Sequence, residues 1–378
     1  MLVIAALSPA TFTASASPFS GLARCHHPLC CAAKAEASIQ CDDNEWAEYA
    51  TKHNIVAPKL RISKLGDSDR GKGGVFALEP IAPMEVIATI PRDLILSPSS
   101  EAIEVAERGF SACSENPASE AACWAHHLTA AALLALHSPE GTGAGAAKQS
   151  WLQRWAEPDC AFGGGWATNN ADLGQPGVRW GADDVTGNLL ATGSDNDKNI
   201  YAKFRFPCHP VVHRAGLGLA ALTKADRKSA LDAVVRRGFL FRSMSDALDP
   251  LVDNPSPRLK GSKRERRAWD VADTLSRVMS RATSIQLGEE AEAPTVAIVP
   301  LHERLAHCGD ERGENVKVVG RDPRDDGDEQ VVLLVATRAI ESGEALTRDY
   351  HNAPRIPGDD TEGALRLLLQ FGLPPAAW

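Results

Sequence analysis

The sequence predicts an α+β fold in which small sheets are split by a long, mainly helical insertion. Three observations carry that expectation. Short strand-like runs cluster at residues 60–90 and return at 295–336, while apolar residues at helical spacings occupy stretches between them. A turn-rich run at residues 66–73, Gly-Asp-Ser-Asp-Arg-Gly-Lys-Gly, interrupts the first group of strands.

Residues 60–62 and 74–77 read as strands on either side of that turn, and 85–90 continues as a third before Pro91, whose missing N–H ends a ladder. From 100 to about 136 the Ala, Leu and Glu content favours helix. His126 and His127 fall in it, and adjacent residues cannot share a helix face, so one buried and one exposed imidazole is expected rather than a metal pair. Residues 141–147 read as a flexible break, and 161–193, rich in Gly, Asn and Asp around Trp166 and Trp180, as irregular structure. A second helix is expected over 263–285, with Trp269, Ala272, Leu275, Val278, Met279 and Ala282 at helical spacing. The basic run from Arg258 to Arg267 reads as a solvated loop and first helical turn. Strands at 295–299, 316–319 and 331–336 follow, the last two joined by an acidic loop carrying Asp326-Gly327, and 363–372 closes as helix. No internal repeat is visible.

Composition narrows the function. With 378 residues, 44% of them hydrophobic, the chain can bury a large core, and a net charge of −9 argues against a surface built for nucleic acid. It contains no run of about 18 apolar residues, so no membrane span is expected. Nine cysteines form no C-x-x-C pair, which argues against a structural zinc site and for reduced thiols; no metal is expected. The first 35 residues hold Arg24 and Lys34 but no acid and are rich in Ala, Ser, Thr and Pro, a transit-peptide composition. A plastid location is therefore expected, with a cytoplasmic one if residues 1–42 are only a disordered tail.

Four pieces far apart in the chain carry the chemistry. The first is the glycine turn running into Gly74-Val75-Phe76-Ala77, with Ile81-Ala82-Pro83-Met84-Glu85 and Ile90-Pro91 after it. The second is Ser280-Arg281-Ala282-Thr283, and the third is Pro300-Leu301-His302-Glu303-Arg304-Leu305-Ala306-His307 with Asn315 beyond. The fourth, the most specific, is Ala336-Thr337-Arg338-Ala339-Ile340-Glu341-Ser342-Gly343-Glu344 leading to Tyr350, then Leu367-Leu368-Leu369-Gln370-Phe371-Gly372. In this order they resemble the SET-domain protein methyltransferases, specifically the branch of the Rubisco large-subunit lysine methyltransferases.

The resemblance implies a SET-type β-rich fold over residues 58–373: an N-terminal part (58–98), a helical insert (99–293), a C-terminal part (294–352) and a closing helical tail (353–378). It implies S-adenosylmethionine as cofactor, held by Lys72, Gly73, Gly74, Arg281, Glu303, Ala306 and His307, a catalytic Tyr350, and Phe371 lining the channel for a lysine of a protein substrate. Ala306 stands where the family has an asparagine, and Phe371 where it has a tyrosine. A SET fold serving only as a protein-binding module, and methylation of histidine rather than lysine, are the alternatives.

Overall fold

Why the chain turns where it does is visible in a computed structural model that describes residues 40–41, 44–63, 74–113, 122–137, 143–153, 247–253, 263–287, 293–308, 313–320, 330–355, 357 and 362–371. All of these belong to one unit, Ala37–Trp378. Strand β1 (Gln40–Cys41) and helix α1 (Asn44–Lys52) lead into β2 (Leu60–Ser63), β3 (Gly74–Ala77) and β4 (Val86–Pro91). Helices α2 (Ser100–Cys113), α3 (Trp124–His137), α4 (Ala144–Gln153) and α5 (Lys263–Arg281) follow. Then come β5 (Thr283–Ile285), β6 (Thr295–Ala297), β7 (Ala306–His307), β8 (Val316–Gly320), β9 (Val331–Ala336), β10 (Thr347–Arg348) and helix α6 (Gly363–Phe371).

The strands form small sheets ordered β1-β2-β3, β4-β9-β8, β5-β6 and β10-β7, so the α+β class with small sheets and helices between them is observed. In β9 the alternation of half-buried and buried residues puts Val332, Leu334 and Ala336 into the core, the period of two that a one-faced strand requires. The core is continuous: Ile87 and Ile90 of β4 and Leu94 of the 3-10 turn after it join Leu128 and Leu133 of α3, Val271 and Val278 of α5, and Val299, Leu301 and Leu305 of the later segment.

Three expectations need correction. Residues 141–147 do not form a break throughout: α4 begins at Ala144, because Ala147, Trp151 and Leu152 make a buried face that outweighs the cost of Gly145. The helix expected over 263–285 stops at Arg281, and Thr283–Ile285 pairs antiparallel with Thr295–Ala297, a β-branched run that suits a strand better than a last helical turn. Helix α1 was not anticipated at all; Trp46, Tyr49 and Ala50 give it a buried face. His126 is buried while His127 is half-buried against Glu107 at 3.0 Å. Residues 161–193, 258–262 and 321–329 lie outside the described residues.

The structure also holds a repeat that the sequence hides. Residues 75–87 and 334–346 share Ala77/Ala336, Ile81/Ile340 and Glu85/Glu344, and their backbones bond to each other reciprocally. Ile81 N–H donates to Ile340 O at 2.9 Å and Ile340 N–H to Ile81 O at 3.0 Å; Ala77 N–H donates to Glu344 O and Ala336 N–H to Glu85 O, both at 2.9 Å. Such exchange is what a local twofold axis between Ile81 and Ile340 produces. Each copy contains the same turn, in which a glutamate closes on a backbone N–H at 2.9 Å: Glu85 on Ala82 and Glu344 on Glu341. Only three identities survive in the two segments, too few to stand out before the bonds are seen.

Candidate functional site

The second copy of the turn delivers the chain to the site. After Leu346 it runs as β10 parallel to β7, with Thr347 opposite Ala306 and Arg348 opposite His307. Strands of two residues cannot hold each other alone, and Asn315, fully buried, braces this one. Its amide donates to Ala345 O at 2.9 Å and accepts from Thr347 N–H at 2.7 Å. A 3-10 turn over Tyr350–Asn352 follows, capped by the Asp349 carboxylate, which accepts from His351 N–H at 2.9 Å.

Tyr350 is fully buried. Its hydroxyl donates to Leu305 O at 2.9 Å, its ring stacks on Phe371 at 4.3 Å between centroids, and the His307 ring lies 5.1 Å away on a tilt. Burial pushes its phenol up to about 12, so the hydroxyl keeps its proton across the physiological range. Burial likewise holds the His307 imidazole below its ordinary value.

Next to the tyrosine lies a buried charged centre. Arg281, the last residue of α5, pairs through Nε with Glu303 at 3.0 Å, both nearly inaccessible to solvent. Trp151 Nε1 donates to the other Glu303 oxygen at 2.8 Å, and Arg281 reaches Ser280 Oγ at 3.1 Å. Arg348 donates to the carbonyls of Ser280 (2.8 Å), Arg281 (3.3 Å) and Ala282 (3.4 Å), capping the negative end of α5, and its guanidinium lies 4.9 Å over the Tyr350 ring. Among the described residues four arginines, 281, 304, 348 and 366, are buried, and Glu303 is the buried carboxylate. The surplus of positive charge is met largely by backbone carbonyls. His302, fully buried beside Arg348, is held well below its ordinary value by burial first and by that cation second.

Glu303 reaches its place through a strained step. Leu301 has φ 70° and ψ −49°, and His302 N–H donates to Pro300 O at 2.9 Å: a γ-turn of the rare hand, on a fully buried leucine. Such strain costs about 1–3 kcal/mol and persists only where packing over-determines it.

The structure therefore brings together Tyr350, Phe371, Arg281, Glu303, Ala306 and His307 of the anticipated set. Gly74 stands at the start of β3, opposite Ser63, and a Cβ there would meet only the Phe76 ring at 3.5 Å, so nothing around it demands a glycine. Lys72 and Gly73 lie outside the described residues. Trp151 and Arg348 were missed: a tryptophan in an alanine-rich segment and an arginine in a two-residue strand carry no pattern of their own. A separate cavity of about 640 Å³, whose lining includes Lys52, Asn54, Arg92, Asp93 and Gln330, is bordered by none of the anticipated site residues.

No protein-family model matches the chain, and no curated protein matches it in sequence. Among solved structures it is similar to the SET domain of LSMT bound to lysine and AdoHcy, with a TM-score of 0.46 and 14% identity over 87% of this chain and 56% of that one. It is similar also to Rubisco LSMT bound to AdoMet (TM-score 0.43, 14% identity, 89% and 56% covered) and to Rubisco LSMT bound to sinefungin and monomethyllysine (TM-score 0.39, 13% identity, 89% and 56%). The chain spans 56% of the length of these solved chains.

Proposed function

We propose that this protein is a SET-type methyltransferase that moves a methyl group from S-adenosylmethionine to a lysine side chain of a protein substrate. The observation that carries the reading is the gathering of three distant motifs around one buried phenol: Leu305 accepts from it, Phe371 stacks on it, and Arg348 links it to the Ser280-Arg281-Ala282 end of α5.

The residues present fit the cofactor unevenly. A buried centre with more cations than carboxylates suits its carboxylate, and the buried Thr347 hydroxyl, opposite Ala306 in register, has no partner of its own. The side-chain amide expected at 306 is absent, and Arg281 is already engaged by Glu303. In this reading Ala306 and His307 border the cofactor, and Arg281 and Glu303 fix the wall behind it. The bound cofactor supplies an electrophilic methyl on a sulfonium.

The chain's own work is to position and desolvate. A lysine amine must be neutral to attack, and an apolar channel lowers its pKa. Tyr350 does not take the proton: its hydroxyl proton is committed to Leu305 O, and a phenol held near pKa 12 is not ionised at neutral pH. That leaves the phenol oxygen's lone pairs to accept from the amine and from methyl C–H groups, which orients the in-line approach. The acid-free first 35 residues support a plastid address.

A radiolabelled methyl-transfer assay on plastid and cytosolic extracts tests this. Tyr350→Phe should lower incorporation by about 10²-fold or more, as loss of a positioned transition-state contact does. The wild-type rate should rise with pH as the substrate amine deprotonates. Incorporation by the wild type no greater than by Tyr350→Phe would overturn the reading. Product mass spectrometry would separate lysine from histidine methylation.

A further inference from the structure

We propose that His307, Asp349 and His351 form a binding site for a divalent transition-metal ion of the zinc type. One ligand atom from each lies within 4.8 Å of the other two, and this is the one such grouping of three among the described residues. The site shares His307 with the methyl-transfer reading and flanks Tyr350, but its donor set does not depend on that reading.

Local folding makes the cluster. Parallel pairing of β7 with β10 sets His307 beside Arg348, so the next residue, Asp349, begins its turn alongside the imidazole, with Oδ1 4.0 Å from Nδ1. The 3-10 turn then brings His351 back, its ring 5.5 Å from that of His307 and edge-on to it. Two features preorganise the donors. Asp349 is held by the cap to His351 N–H, which occupies one carboxylate oxygen and leaves acceptor capacity on the group. His307 is held by Tyr350 N–H donating to its Nδ1 at a long 3.3 Å, a bond that a metal can replace. A second carboxylate, Glu314, accepts from Asp349 N–H at 3.2 Å and adds negative charge behind the site.

Two imidazoles and one carboxylate are the donor set of open zinc centres, in which three protein ligands leave a fourth position for water. Tetrahedral ligation at about 2.0–2.1 Å requires the donors to close to about 3.3 Å from one another. The exposed His351 supplies most of that movement by a change of rotamer, and a small rotation of the half-buried Asp349 carboxylate closes its 4.0 Å separation from His307 Nδ1. Exposure on that side also gives the ion its way in. The histidines are far apart in sequence, and Asp349 and His351 have only Tyr350 between them, a pair too short to announce the set.

The test is a cobalt(II) titration of the full chain without S-adenosylmethionine, read by visible absorption. The expected result is one equivalent of cobalt giving the intense d–d bands of a four-coordinate ion, displaced by zinc. His351→Ala, an exposed change, and Asp349→Asn, which keeps an acceptor for the turn cap, should each weaken binding by more than about tenfold, since each removes one of three ligands. Absence of the bands would overturn the proposal. So would bands of undiminished affinity in both variants, because they would place the ion elsewhere among the chain's 11 histidines. Either failure leaves the methyltransferase reading untouched, and a protein that fails to bind the cofactor can still bind cobalt.

Discussion

The two copies of the repeated turn use the same backbone bonds and lead to opposite kinds of structure. After the first, the chain enters β4, whose inward residues Ile87, Ala88 and Ile90 are buried apolar groups in the β4-β9-β8 sheet. After the second, it enters Thr347-Arg348-Asp349-Tyr350, where a guanidinium and a phenol are buried instead. The turns differ as well. Gly343 carries φ 80° in the second copy, while the first places Met84, half-exposed, at φ 64°. Pro83 before it and the 3.2 Å bond from Glu85 N–H to Ala82 O make this a turn that demands a positive φ at the third residue. The scaffold is thus duplicated, and the proposed chemistry resides in what one copy carries past its end.

Substitutions at equivalent places should separate scaffold from site. Two residues past the repeat stand Thr89 in one copy and Arg348 in the other. Arg348→Met strips the bonds from the carbonyls of Ser280, Arg281 and Ala282, and the expected loss is about 2–4 kcal/mol in denaturant unfolding. Thr89→Val, on a half-buried strand position, should stay within about 0.5 kcal/mol of wild type. Equal losses at the two positions would mean that Arg348 is held by general packing rather than by the helix end it caps.

A smaller effect distinguishes the turns themselves. Gly343→Ala forces a Cβ into the left-handed region with no clash to relieve, and should cost about 1–2 kcal/mol. Met84→Gly removes the same strain but frees the unfolded chain, so the net gain should be no more than about 1 kcal/mol. Thermal melts of both variants check the opposite signs. If Met84→Gly destabilised the protein, the methionine side chain would be contributing packing that its exposure does not suggest.

Much of this arrangement was legible beforehand, for a physical reason. Strands β2, β3, β8 and β9 and helix α6 were placed to within a residue or two because each has one buried face, and a period of two or 3.6 residues records that face directly. Tyr350 and the Ser280-Arg281 piece were found by resemblance and do meet, through Arg348. The end of α5 was overrun because the arginine that caps it lies 67 residues away in the chain from Arg281. Trp151 carries no sign of its role, since its partner Glu303 is 152 residues distant. The repeat was invisible because backbone bonds preserve most of it and only three side-chain identities accompany them.

Binding of S-adenosylmethionine to the purified protein, followed by isothermal titration calorimetry, tests the central claim most directly, and Ala306→Asn sharpens it. The account predicts a saturable site of micromolar affinity, tightened about 10- to 100-fold when an amide able to bond a charged group is restored at position 306. No saturable heat with either protein would contradict it.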